Sequence, residues 1–352
     1  MLNQHSVVVG VDVHKYSHTA VALDAWGKER GAYTFTNETL DGYLSWLSSL
    51  GDRERLIVGL EDANCYGIHL VTALKDARIN TRYVPAILTE RERTHSTTRQ
   101  KSDAVDASRV GRVILTKYAE TLPAREAIAT KDELLAAQEL DLILVEREDL
   151  TRSKTILKNQ LHALLYQHYT EAYRTRCPRS FSKKAIRWFQ NDLASAGSIL
   201  ASSILRRLDR LVFVMGQIAA IDKVIARVAG SSSYVRALTV LHGCGALTAS
   251  QIVAETITPR RFENKHRFAA YAGVTPVPHS SGRRDRLHTN PFGNRRLNRA
   301  LHTIALSQIA LKDEQATAYY AKKLTEGKTK LWALRCLKHQ IAKRVYQALR
   351  RA

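Results

Sequence analysis

Three short apolar runs open the chain, Val7–Val11, Thr19–Leu23 and Ala32–Thr36, separated by turn residues such as Trp26-Gly27-Lys28. Runs of this length bounded by turn signals predict strands. Apolar positions then recur at helical spacing over Leu40–Leu50, behind Asn37 or Thr39 as a cap. A strand at Leu56–Leu60, a helix around Ile68–Ala77, a strand near Thr81–Val84 and helices through Arg112 follow. Three strands and then alternating helix and strand predict a mixed sheet with helices on its faces.

From about Lys131 the period changes. Ile143, Leu150, Leu157 and Leu164 share one heptad position, with Leu140 and Leu161 at the complementary one, which Arg147 and Lys154 interrupt. Ile204, Leu211, Ile218 and Ile225, joined by Leu208 and Met215, repeat the theme. Both segments predict long helices of coiled-coil character, paired either within one chain or between chains. Between them, Arg174 to Arg187 reads as a basic loop containing Pro178. A third part begins near Ser231. Its Leu241–Ala249 stretch predicts a helix-hairpin-helix-like turn, in which Gly243 and Gly245 let backbone N–H groups approach a phosphate. A basic loop, Ser280 to Arg286, and a basic helical stretch from Asn294 to Arg351 complete a mainly α region. The predicted domains are 1–125, 126–230 and 231–352.

Charge sharpens this division. Residues 1–150 carry 18 Lys and Arg against 23 Asp and Glu, whereas residues 151–352 carry 36 against 10. An acidic half joined to a strongly basic one predicts a metal site beside a polyanion-binding surface. No stretch reaches the apolar length of a spanning helix, so nucleic acid is favoured over membrane. Cys65, Cys177, Cys244 and Cys336 have no zinc spacing, and no charged-then-apolar leader is visible, so a cytoplasmic protein with reduced thiols is expected.

The candidate chemistry lies in four acidic residues. Asp12 and Glu61 end two predicted strands, at one rim of a sheet. Asp103 and Asp106 are three apart and share a helix face. Each alone reads most simply as a cap or a solvated group; brought together they repel one another unless hard cations such as Mg²⁺ (or Mn²⁺) neutralise them. Paired metals of this kind cut phosphodiesters. Asp62 competes with Glu61 for the inward direction, and His14, two residues after Asp12, is the histidine to watch. In Ser280-Ser281-Gly282, one hydroxyl is a candidate nucleophile, with Arg283 and Arg284 clamping phosphate, although Ser-Gly pairs usually make plain turns. Arg174, Arg176, Arg179, Lys183, Lys184 and Arg187, with Arg295, Arg296 and Arg299, are expected to include several phosphate contacts, which position nucleic acid without reading its sequence.

Taken in order, Gly10-Val11-Asp12, Leu60-Glu61, Lys101–Ala107, Gly243-x-Gly245, Phe268–Pro276, Ser281-Gly282 and Gly293–Leu297 span nearly the whole chain. Together they resemble the IS110 family of insertion-sequence transposases, which includes the Piv-type DNA invertases. The resemblance implies an α/β RNase H-like (RuvC) domain, a coiled-coil region and a C-terminal transposase domain. It implies that Asp12, Glu61, Asp103 and Asp106 are the DEDD metal ligands and that Ser281 is the nucleophile. It also implies a structured bridge RNA that pairs with donor and target DNA, and a homo-oligomer, dimer or tetramer, in which one protomer's serine meets another's metal site. Alternative readings are a Piv-like site-specific invertase and a RuvC-like structure-specific nuclease that cuts by water alone. The sequence departs from the family after Glu61, where Asp62–Tyr66 replaces a glycine-containing turn, and at His242, where proline is common.

Overall fold

The structure, a computed structural model, describes residues 6–61, 66–95, 102–177, 180–281, 284–289 and 293–352. Two compact units divide the chain. Residues 1–137, 241–243 and 255–352 form one; residues 138–240 and 244–254 form the other.

The first unit holds a six-stranded sheet of β1 (Val7–Val13), β2 (His18–Leu23), β3 (Glu29–Phe35), β4 (Leu56–Leu60), β5 (Asn80–Tyr83) and β6 (Leu122–Pro123), ordered β3-β2-β1-β4-β5-β6. The first three strands pair antiparallel, β4 and β5 run parallel to β1, and β6 is antiparallel to β5. This mixed α/β order is compatible with the expected RNase H-like domain. Helices α1 (Leu40–Leu50), α2 (Ile68–Asp76), α3 (Ala86–His95) and α4 (Asp103–Lys117) flank it.

Strand alternation sorts the side chains. Val7, Val9, Val11, Leu56, Val58 and Leu60 pack with residues of α1 and α2 such as Tyr43, Leu47, Leu70 and Leu74. The intervening Val8 and Ile57 pack with Val110, Val113 and Ile114 of α4. Burial on both faces accounts for strands that read as unbroken apolar runs. After a short α5 (Arg125–Ile128), helix α6 (Lys131–Tyr169) begins where the heptad pattern does.

In the second unit α6 is joined by α7 (Lys183–Leu193), α8 (Ile199–Ser231), α9 (Ser233–Thr239) and α10 (Ala246–Thr256). Leu161 and Leu165 of α6 pack into one core with Ile204, Leu208 and Leu211 of α8, so the two long helices pair within one chain. Arg147, which interrupts the heptads, donates to Asp222 of α8 at 2.5 Å. The basic segment expected as a loop is partly helical. Ser182 caps α7 by accepting from the Ala185 N–H, and Ala185, Ile186, Phe189 and Leu193 form its buried stripe.

The C-terminal part of the first unit contains α11 (Lys265–Tyr271), a hairpin of β7 (Pro276–Ser281) and β8 (Arg284–Thr289), then α12 (Arg295–Ala310), α13 (Glu314–Thr325) and α14 (Lys330–Arg351). Within the loop expected over Ser280 to Arg286, Ser280 and Ser281 instead end β7, and Arg284, Asp285 and Arg286 open β8. Pro276 and Pro278 had hidden the first strand, because proline demotes a run to an edge. The Gly243 turn is fixed to this part. Gly243 has φ +78°, and a Cβ there would meet Gln308 and Ser307 of α12. Gln308 Nε2 donates to the His242 carbonyl at 2.8 Å.

Asp313 secures the same corner. Its carboxylate caps α13 by accepting from the Ala316 N–H and pairs with His242 Nδ1, both at 2.8 Å. The backbone bond first and the histidine second hold its carboxyl below the usual range. A lowered carboxyl pKa contributes stability that is present above the unfolded value near 3.8 and lost as pH falls through the folded one. Asp313→Ala is therefore expected to cost about 1 kcal/mol by urea unfolding at neutral pH, and less near pH 3, while Asp313→Asn keeps the cap. Among the described residues no helix is long and apolar enough to cross a membrane.

Candidate metal centre and nucleic-acid surface

Strands β1 and β4 share one short pattern, Gly10-x-Asp12 within β1 and Gly59-x-Glu61 running one residue past the end of β4. Gly10 and Gly59 are direct partners in the parallel register, and pairing runs on to Val11 opposite Leu60. The period of two puts Gly10 with Asp12, and Gly59 with Glu61, on the face covered by α4. The missing side chains let that helix come very close. A Cβ on Gly10 would lie 2.0 Å from the Ala107 carbonyl oxygen and 2.4 Å from the Gly111 nitrogen. Contact at this range sets α4 directly on β1, with its first turn above the strand end.

Ser102 caps α4 by accepting from the Val105 N–H, which fixes Asp103 and Asp106 in that first turn. His14 Nε2 stands 3.0 Å from Asp12 Oδ2 and 3.6 Å from Asp103 Oδ1. One ligand atom from each of Asp12, His14 and Asp103 lies within 4.8 Å of the others. Glu61 and Asp106 complete the electrostatic cluster. Burial first, and then the charges of Asp106 and Asp103, push the Asp12 carboxyl up, against the His14 charge and hydrogen bond. Burial likewise raises Glu61; a hydrogen bond from Thr89 opposes this, and Asp12, Asp106 and Glu90 add to it. Mutually repelling carboxylates, half-buried at Asp12, Glu61 and Asp106 and exposed at Asp103, are what a hard divalent cation relieves. Mg²⁺ prefers oxygen, so the carboxylates fit as ligands and His14 fits as the hydrogen-bonding partner that orients Asp12.

Two residues here were missed in the sequence. Thr89 on α3 steadies Glu61. The buried Arg109 donates to Asp106 Oδ1 at 2.5 Å, one helical turn along. Its spacing of three from Asp106 was the available signal. Asp62 lies outside the described residues.

The structure places the other candidates as follows. Ser281 ends β7, opposite Arg284 in the hairpin register, and Ser280 is opposite Asp285. Gly282, Arg283 and Arg179 lie outside the described residues. Lys183, Lys184 and Arg187 are exposed on α7, away from its apolar stripe. Arg296 instead pairs with Glu255 at 2.7 Å, and Arg295 and Arg299 line a cavity of about 530 Å³. Gly243 packs on α12, whereas a Cβ on Gly245 would meet nothing within 4 Å.

Similarity to known proteins follows the same two regions. Residues 9–170 match the DEDD transposase family of IS110 type, described as "Transposase". Residues 235–321 match the "Transposase IS116/IS110/IS902 family". A 43.6 kDa protein of insertion element IS110 from Streptomyces coelicolor is 24% identical, over 98% of this chain and 94% of its own length. A Sinorhizobium fredii protein named as a transposase, y4rJ, is 25% identical over 84% of this chain and 78% of its own. A Pseudomonas aeruginosa protein named as a family 20 transposase is 26% identical over 53% of both chains.

Proposed function

Because the chain belongs to the IS110 family of transposases, enzymes that cleave and rejoin DNA, we propose that it is an RNA-guided recombinase working through a serine–DNA intermediate. The observation that supports this reading is that ligand atoms of Asp12, His14 and Asp103 lie within 4.8 Å of one another, with Glu61 and Asp106 near enough for their charges to act on the same group. These residues would hold Mg²⁺, which when bound supplies Lewis-acid polarisation of a DNA phosphate. Asp12 is kept in place by His14, Glu61 by Thr89 and Asp106 by Arg109. In the cleavage step the Ser281 hydroxyl oxygen bonds to phosphorus, the bond to the 3′ oxygen breaks, and the serine proton passes to that departing oxygen. Rejoining reverses the step with another strand's 3′-hydroxyl, so no bond energy is lost to water. Arg284, Ser281's partner in the hairpin register, is suited to offset the developing charge.

Exposed cations on α7, together with Arg295 and Arg299, offer a sequence-blind hold on phosphates. Base pairing by a bridge RNA would then supply target choice. The second reading, a RuvC-like nuclease, shares the carboxylates and differs at the serine.

Purified protein, labelled donor DNA, Mg²⁺ and RNA transcribed from the element's non-coding end test the difference. The expected product is a protein–DNA adduct that survives denaturation, with the nucleotide mapped by peptide mass to Ser281. Cleaved DNA without an adduct favours the hydrolytic nuclease, and a nucleotide on Ser280 moves the nucleophile by one residue.

A further inference from the structure

The C-terminal part contains a second site that the metal chemistry does not use. A cavity of about 530 Å³ opens among α12, α14 and the segment leading into β7. Arg295, Arg299, Arg335 and Lys338 line it, and among the described residues no carboxylate does. Lys338 is 9% exposed, and its ammonium donates to Asn298 Oδ1 at 2.5 Å. Asn298 is itself fixed, because its amide donates to the carbonyls of Ala272 and Gly273. Burial first, and the neighbouring Arg335 second, lower the Lys338 ammonium to about 8. A cation placed out of water beside another cation is costly unless an anion joins it.

The remaining walls suit more than a bare anion. Trp332 and Tyr319 line the cavity, with Arg335 over the Trp332 ring at 4.9 Å. The Thr275 hydroxyl on its wall is buried and has no hydrogen-bond partner among the described residues. Burial lowers the pKa of His302 and of His339, so both imidazoles favour the neutral form, which can donate and accept. The volume lies in the range of small-ligand sites, roughly 300–1,000 Å³, and is far too small for a duplex. Aromatic walls, cations and one free hydroxyl together match the π-face, phosphate and edge of a nucleotide.

We propose that this cavity captures one unpaired nucleotide of a single-stranded segment, its base against Trp332 and Tyr319 and its phosphate against Lys338 and the arginines. The inference rests on the reading of the chain as a nucleic-acid enzyme and deepens it. A nucleotide held out of the stack would fix the register of a bound strand without reading a helix. DNA and RNA share this chemistry, so both sources belong in the test.

The test compares full-length protein with its Trp332→Ala, Trp332→Phe and Lys338→Met variants, binding 12-nucleotide single-stranded DNA, 12-nucleotide single-stranded RNA and the DNA duplex of the same sequence. Trp332→Ala is expected to weaken binding of a single strand roughly tenfold to hundredfold. It should leave the duplex affinity and the salt slope unchanged. Trp332→Phe, which keeps an aromatic face, should retain most of the affinity and serves as the folded control. Lys338→Met should weaken single-strand binding and reduce its salt slope by about one. Whichever strand, DNA or RNA, shows the Trp332 effect is the source. Adenosine monophosphate should compete with the single strand at concentrations where inorganic phosphate does not. Equal competition by the two, or Trp332→Ala losing single strand and duplex alike or neither, would overturn the proposal. Wild-type protein that binds none of the three probes would sink the nucleic-acid reading itself.

Discussion

Asp12→Asn is expected to lower DNA cleavage roughly a thousandfold if Asp12 holds the metal as proposed, since losing such a ligand removes several kcal/mol of transition-state stabilisation. The same change should leave the fold intact or slightly stabilised. Asp12 sits among Asp103, Asp106 and Glu61, and without a cation its charge is opposed by burial and by those neighbours. Asparagine keeps the size and a hydrogen-bonding oxygen for His14, and drops the repulsion. Thermal melts separate the two effects. Added Mg²⁺ should raise the wild-type melting temperature by mass action and raise that of Asp12→Asn far less. A variant that cleaves at the wild-type rate would remove Asp12 from the chemistry.

Gly10→Ala is expected to be as damaging by a different route. The added methyl would meet backbone atoms of α4 at 2.0 and 2.4 Å, and backbone has no rotamer into which to retreat. Helix α4 must move off β1, taking Asp103 and Asp106 with it. The cost is about 3 kcal/mol or more in stability, from overpacking. A displacement of this size at a reacting centre also lowers the rate about a hundredfold in whatever protein still folds. Gly216 in α8 provides the control: it has open space around it, so Gly216→Ala should stabilise by roughly 0.5–1 kcal/mol. Urea unfolding and cleavage assays on both variants check the pair.

The sheet was largely legible because its signals are local. Leu40–Leu50 and Leu56–Leu60 have the bounds that period and turn residues predict, and Thr36 and Thr39 form the box preceding α1. The placement of Asp12 and Glu61 at strand ends and of Asp103 and Asp106 in one helical turn was legible for the same reason, since a strand end and a helical spacing are short-range facts. What escaped is what depends on a partner distant in sequence. The role of Gly10 exists only once Ala107 and Gly111 lie against it, and that of Thr89 only once Glu61 does. The heptads of α6 predicted pairing, and Leu140 and Leu161 of their complementary position are buried, with Ala137, Leu144 and Leu165 outside the pattern, while Ile143, Leu150, Leu157 and Leu164 are only half-buried. The geometry of packing against α8 turned the seam, and Arg147 found Asp222 across it. The β7–β8 hairpin was hidden by its prolines. The cavity around Lys338 draws residues from α12, α14 and the approach to β7, a set that no local pattern announces.

The division of the chain also has a consequence for its synthesis. The first compact unit is completed only by residues 255–352, and Arg260 of that segment bonds Glu133, 127 positions earlier, while Arg261 donates to the Pro123 carbonyl. At about 5–20 residues per second, the acidic half waits roughly 6–25 s on the ribosome for those arginines. A product ending early, by frameshift or premature stop, would emerge with the carboxylates and without the segment that closes their unit. Such fragments should be cleared quickly by proteases, so that full-length translation itself gates the appearance of a DNA-cutting protein.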